Sequence, residues 1–275
     1  MAQQIRPARL KDGARIGIVN PAYWLEDERL QRAIGVFEDA GFVIVPGKST
    51  QLRQDIFAGS PETRAADIMT MFEDPSIDAI ICARGGYGGN RVLPLLDYDV
   101  IRGNPKIFVG YSDTTGMLSS IAQRSGVVTF HGPMLTTWGR QTIDYNLATL
   151  RQVLSGASDV RVDFTPECPA RVLRQGKARG ELWGGNLTLI NERLGTPVQL
   201  DLDVPRPARV VSSRKGRHFA AALPDLDDAI LFVELEGKHV GFWLSTYTLD
   251  EPEVAALQTA LDARVEEALG GQPGS

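Results

Sequence analysis

Five short apolar runs punctuate the first half of the chain: "ARIGIV" from Ala14, "FVIVP" from Phe42, "IDAIICA" from Ile77, "KIFVG" from Lys106 and "GVVTFHGP" from Gly126. Between them lie stretches with helical spacing. Leu30, Ala33, Ile34 and Phe37 recur on one helical face, with Gly41 placed to end the element, and "PETRAADIMTMFE" over residues 61–73 puts Pro61 near a helix start. Strands that alternate with helices in series predict a parallel sheet with helices on both faces, because each crossover must return along one face. In such sheets ligands bind beyond the carboxyl ends of the strands. Three polar or glycine-rich corners fall at those ends, "NPAY" from Asn20, "RGGYGGNR" from Arg84 and "GYSDTT" from Gly110, and they are expected to converge.

Composition narrows the partners. The chain has 275 residues, of which 43% are hydrophobic and 23% charged, enough for one large core or two modest ones. A formal net charge of -5 argues against a general nucleic-acid or anionic-membrane binder and leaves small molecules or peptides. The two cysteines, Cys82 and Cys168, are far apart and lack metal-ligand spacing, so they read as reduced thiols. The first residues hold no apolar run beside a basic leader, and no stretch approaches the roughly 18 apolar residues of a membrane span. A cytoplasmic protein without a membrane segment is expected.

The pattern changes near residue 155. Residues 1–155 read as an N-terminal α/β domain, 156–178 as a Pro-, Arg- and Gly-containing connection, and 179–275 as a smaller C-terminal domain. Within the last, "ELWGGNLTLINERLG" and "AILFVELEG" indicate mixed structure, and Val254, Leu257, Leu261, Val265 and Leu269 predict a closing amphipathic helix.

The corner "GYSDTT" carries chemistry. A strand that turns sharply into a helix presents its corner side chain outward, beside N–H groups that carry partial positive charge. Ser112 on that corner could attack a carbonyl while the N–H of Asp113 stabilises the oxyanion, although "GYSDT" lacks the second glycine of the G-x-S-x-G elbow. Alternatively Ser112, Asp113 or Thr114 simply caps the following helix. The adjacent glycines of "RGGYGGNR" let main-chain N–H groups approach a ligand, so Gly86 could supply a second oxyanion donor. A phosphate-binding loop or a plain turn would use the same glycines, but the spacing matches neither G-x-G-x-x-G nor G-x-x-x-x-G-K-[ST]. A nucleophilic serine needs a base, and the chain's three histidines, His131, His218 and His239, all sit in unremarkable local contexts.

Taken together, these segments resemble the LD-carboxypeptidase family of serine peptidases, which includes the microcin C self-immunity peptidases. "GARIGIVNPA" resembles the family's opening strand and loop, "ARGGYGGNRVLPLLDYDVI" and "VGYSDTTGML" its hallmark segments, and "HGPM", "GELWGGNLTLINERLGTP" and "AILFVELEG" follow in order across about residues 10–240. The resemblance implies a flavodoxin-like or class I amidotransferase-like parallel sheet plus a smaller β-rich C-terminal domain, a homodimer, and a Ser-Glu-His triad with no metal or cofactor. Carried over by motif, Ser112 is the nucleophile, Glu234 orients the histidine, Gly86 and Asp113 form the oxyanion hole, and Trp183 and Asn186 lie by the substrate. The implied reaction is hydrolysis of an L,D-peptide bond, such as release of terminal D-alanine from cytoplasmic muropeptides during peptidoglycan recycling. The immunity branch instead cleaves a peptide-nucleotide conjugate.

One departure stands out. The family's histidine lies in a Gly-His segment well beyond the glutamate strand, and no Gly-His pair follows Glu234 here. The C-terminal domain is also shorter than the family pattern, and the basic segment "SSRKGRHFA" precedes the glutamate strand. The base is therefore left open, with His239 and His218 as the nearest substitutes. The corresponding second reading is a weak or inactive homologue that binds a peptide or peptide-nucleotide.

Overall fold

The computed structural model describes residues 4–138, 144–157, 181–199, 229–235 and 238–240. These fall into two compact units, one built from the described residues up to 157 with Thr196–Val198, the other from the remainder.

In the first unit five parallel strands, β1 (Arg15–Val19), β2 (Val43–Pro46), β3 (Ala79–Cys82), β4 (Ile107–Gly110) and β5 (Phe130–His131), stand in the order β2-β1-β3-β4-β5. This is the flavodoxin-like order of doubly wound folds. Helices α1 (Asp27–Asp39), α2 (Pro61–Glu73), α3 (Tyr98–Gly103), α4 (Thr115–Ser125), α5 (Leu135–Trp138) and α6 (Asp144–Leu154) cover both faces. Successive strand residues point to opposite faces and so divide between two cores. Ile16, Ile18, Ala79, Ile81, Ile107 and Val109 pack with α1, α5 and α6, where Phe37 meets Trp138 edge-on at 5.7 Å. Val19, Ile80, Cys82 and Phe108 pack with α2, α3 and α4, where Phe72 stacks on Phe108 at 5.9 Å. Burial on both sides explains why the strands read as unbroken apolar runs.

Local signals set the helix ends. Gly41, with φ at 87°, takes the left-handed conformation after α1. Its N–H donates to Glu38 O, the Phe42 N–H donates to Phe37 O, and the Phe37 and Phe42 rings meet at 6.3 Å. Both bonds and the apolar contact make a Schellman closure. At α2, Ser60 accepts from the Thr63 N–H at 3.3 Å ahead of Pro61. The fifth strand is shorter than "GVVTFHGP" predicts: Val127 bridges to Ile5, whose N–H and carbonyl bond Gly126 O and Val128 N. That segment's early hydrogen bonds therefore go to the chain's beginning, and only Phe130–His131 join β4.

In the second unit β6 (Glu181–Asn186) pairs parallel with β7 (Ala229–Leu235), and β7 pairs antiparallel with β8 (Lys238–Val240). Helix α7 (Leu187–Glu192) follows β6 directly. Most of the 156–178 connection, His218, Cys168 and the amphipathic pattern from Val254 to Leu269 lie outside the described residues.

Candidate active site

The three corners expected to meet do so in the first unit. Strand order reverses between β1 and β3, and the β4 corner stands beside the loops that leave them. Four residues past β1, the Tyr23 N–H donates to Gly85 O at 3.3 Å. A Cβ on Gly85 would lie 3.3 Å from the Asp113 main-chain N and 3.4 Å from Ser112 Cβ. The glycine-rich loop thus passes directly against the serine corner.

Ser112 begins a single 3-10 turn, Ser112–Thr114, that leads straight into α4 and follows β4 after one residue, Tyr111. Its φ is 59°, in the left-handed region, at a cost of about 1–3 kcal/mol for a residue with a Cβ. Such strain persists only where surroundings impose it. The Thr114 side chain, at the N-cap, does not cap α4 and donates its hydroxyl to Tyr111 O at 2.8 Å. The buried Asp113 carboxylate accepts from the Gly89 N–H at 2.8 Å, turning back to the glycine-rich loop.

Gly86 has φ 119°, a conformation open in practice to glycine, and a Cβ there would lie 2.5 Å from the Tyr23 ring. Two residues upstream, Arg84 lies over the same ring at 5.6 Å, donates to Trp24 O at 2.9 Å and approaches Glu26 at 3.5 Å. The β1 and β3 loops are therefore packed as one surface. The Glu26 carboxyl is held below its ordinary range chiefly by a main-chain hydrogen bond, with Arg29 and Arg84 adding to the effect.

Two buried charged residues on α2 support these loops, and neither was singled out from sequence. Arg64 donates from Nε to Gly59 O at 3.1 Å and from Nη1 to Gly88 O at 3.1 Å and to Pro21 O. Burial pulls its pKa down, while the Asp113 carboxylate acts in the opposite sense. Asp67 accepts from the N–H groups of Lys48 and Ser49, each at 2.9 Å, and from the Ser49 hydroxyl, whose oxygen accepts from the Asn20 N–H at 2.8 Å. Within "PETRAADIMTMFE" both residues read as ordinary helix charges. Cys82, behind the corner, is a free buried thiol whose pKa burial pushes up, so it stays protonated.

The other sequence-derived residues belong to the second unit. Asn186 ends β6, is buried, and accepts the Leu189 N–H at 3.2 Å through Oδ1, capping α7. Trp183 sits three residues earlier in the same strand, at register with Leu231. Glu234 pairs in register with Asn186 on one side and His239 on the other, so one row across this sheet reads Asn186, Glu234, His239. His131, in the first unit, ends β5 with its ring 6.3 Å from that of Tyr111. Among the described residues no group of three His, Cys, Asp or Glu side chains is arranged to hold a metal ion, and no helix is long and apolar enough to cross a membrane.

Comparison with known proteins places this geometry. Residues 16–132, which span the five-stranded sheet and all three corners, match the LD-carboxypeptidase N-terminal domain. A Bacillus subtilis protein named "Probable murein peptide carboxypeptidase" is 36% identical over 202 residues, covering 71% of this chain and 61% of the relative. The murein tetrapeptide carboxypeptidase of Pseudomonas aeruginosa is 31% identical over 187 residues, covering 66% and 61%. The crystal structure of an MccF-like protein from Bacillus anthracis superposes with a TM-score of 0.68 at 26% identity, over 83% of this chain and 69% of that one. The chain thus spans about three fifths of the length of these curated relatives. Residues 16–132 thus carry an LD-carboxypeptidase N-terminal domain, and the chain is similar to members of that family.

Proposed function

We propose that this protein is a serine carboxypeptidase that cleaves an L,D-peptide bond, with the terminal D-alanine of a cytoplasmic muropeptide as the leaving residue. The observation that carries the reading is the strained Ser112 corner pressed against the Gly85-Gly86 loop. In this reading Ser112 Oγ adds to the scissile carbonyl, and the N–H groups of Gly86 and Asp113 receive the developing oxyanion. The proton leaves Ser112 for a general base and passes to the departing D-alanine amine; water then hydrolyses the acyl-enzyme. Glu234 orients the base, and Trp183 and Asn186 contact the peptide. The row Asn186, Glu234, His239 makes His239 the first histidine to test as base. A homodimer in solution completes the reading, and light scattering checks it.

Labelling with a fluorophosphonate tests the claim, because that probe reports an activated hydroxyl. The wild-type protein is expected to label at Ser112 and to release D-alanine from an L,D-tetrapeptide, and Ser112→Ala to lose both while keeping its fold. His239→Ala is expected to lower the labelling rate about a thousand-fold. A wild-type protein that neither labels nor turns over the peptide, yet binds it, would replace the peptidase with a binding homologue. Hydrolysis of a peptide-nucleotide conjugate in preference to the tetrapeptide would move the substrate to that of the immunity branch.

A further inference from the structure

The glycine-rich loop is held at one peptide group from both of its poles. Gly88 O and Gly89 N belong to the same planar unit, so fixing the two atoms fixes the plane. Arg64 Nη1 donates to that carbonyl at 3.1 Å, and the Asp113 carboxylate accepts from that N–H at 2.8 Å. The signs match the peptide dipole: a cation at its oxygen and an anion at its N–H. Both side chains are 1% exposed, where a charge left without its partners is costly. The same Nη1 reaches Pro21 O of the β1 loop, and Nε reaches Gly59 O ahead of α2. The approach is close enough that a Cβ on Gly89 would lie 2.5 Å from Asp113 Oδ2.

We propose that Arg64 and the Asp113 carboxylate are a positioning pair that clamps the Gly88-Gly89 peptide and thereby sets the two oxyanion donors against each other. Asp113 is the residue after Ser112, so its carboxylate anchors the main chain that carries one donor. Gly86 is two residues before the clamped peptide, so the same plane limits the swing of the other. Arg64 touches neither substrate nor reacting atoms; it acts through the loop. The inference rests on the reading of Ser112 as nucleophile, but the clamp itself has a readout that needs no turnover.

Removal variants Arg64→Met and Asp113→Ala, and conservative variants Arg64→Lys and Asp113→Asn, test it. In each, the exchange rate of the Gly89 amide hydrogen is measured by NMR, alongside kcat and KM for the L,D-tetrapeptide and the rate of fluorophosphonate labelling. Both removal variants are expected to speed Gly89 exchange about ten-fold or more and to lower kcat and labelling about ten- to a hundred-fold, with KM within about two-fold. The conservative variants recover part of both losses. Folded Arg64→Met with unchanged kcat and unchanged Gly89 exchange overturns the clamp. Should Arg64→Met not fold, Asp113→Ala and Asp113→Asn decide alone by the same two readouts. If the wild-type protein proves inactive, the peptidase reading falls while Gly89 exchange still decides the clamp: faster exchange upholds it, and unchanged exchange removes it.

Discussion

A buried cation meets each end of helix α2, and the two are used differently. Arg64, in the first turn of α2, lies at the carboxyl end of the strands and bonds carbonyls of three separate loops. Lys106, one residue before β4, lies at the amino end, and its ammonium donates to Met71 O at 2.9 Å and to Asp74 O, both at the last turn of α2. Lys106 satisfies the orphan carbonyls that any helix end leaves. Arg64 satisfies carbonyls that no repeating structure supplies. The amino end also holds an open cavity of about 420 Å³ lined by Leu10, Phe42, Arg151 and Gln152, but its charged contact is an exposed pair between Arg151 and Asp12 at 2.5 Å. At the carboxyl end the polar contacts join three loops, and there the left-handed Ser112 and the tight Gly86, Gly88 and Gly89 also collect.

Glycines of the same handedness offer the sharpest way to break this contrast. Gly86→Ala places a Cβ 2.5 Å from the Tyr23 ring at φ 119°, whereas Gly41→Ala, at φ 87°, meets open space. Gly86→Ala is expected to cost about a hundred-fold in labelling and turnover, with about 1–3 kcal/mol of stability. Gly41→Ala should cost about 1 kcal/mol and leave kcat unchanged. Denaturant unfolding and steady-state kinetics on the pair check this. Equal kinetic losses would mean that the carboxyl end has no special claim.

Buried and exposed carboxylates give the next contrast. Asp67→Asn turns an acceptor of three hydrogen bonds into a group that presents an N–H₂ to some of the same donors. A loss of about 2–3 kcal/mol is expected in urea unfolding. Asp12→Asn breaks only the exposed pair with Arg151 and should fall within about 0.5 kcal/mol of the parent.

These contrasts also separate what could be read along the chain from what could not. The face of Leu30, Ala33, Ile34 and Phe37 is the buried face of α1, and Gly41 is its left-handed terminator, because period and capping are local properties. Ser112 and Gly86 were also visible, since an abrupt strand-to-helix corner and paired glycines are main-chain signatures. Arg64 and Asp67 were not. Their partners lie up to 43 residues away, and a charge on a helix looks the same in sequence whether loops cover it or water does. The shortened β5 has the same origin, for Ile5 competes for its first residues across more than a hundred positions. Likewise the row Asn186, Glu234, His239 is a fact of strand register, which no single segment contains.

The smallest expected effect returns to Lys106, the cation at the end of α2. Burial lowers the pKa of Lys106 from its ordinary 10.5, although Asp74 and Asp78 act to raise it. Between that lowered value and 10.5 the unfolded chain binds more protons at this site than the folded one, so Lys106's contribution to stability rises with pH through the window. Lys106→Met has no such proton to release. Wild type should therefore gain stability relative to Lys106→Met as pH is raised from about 8 to about 10. Urea unfolding of both proteins across that range measures the difference. A flat difference would show an ammonium as comfortable at the α2 terminus as in water, with the helix carbonyls fully offsetting its burial.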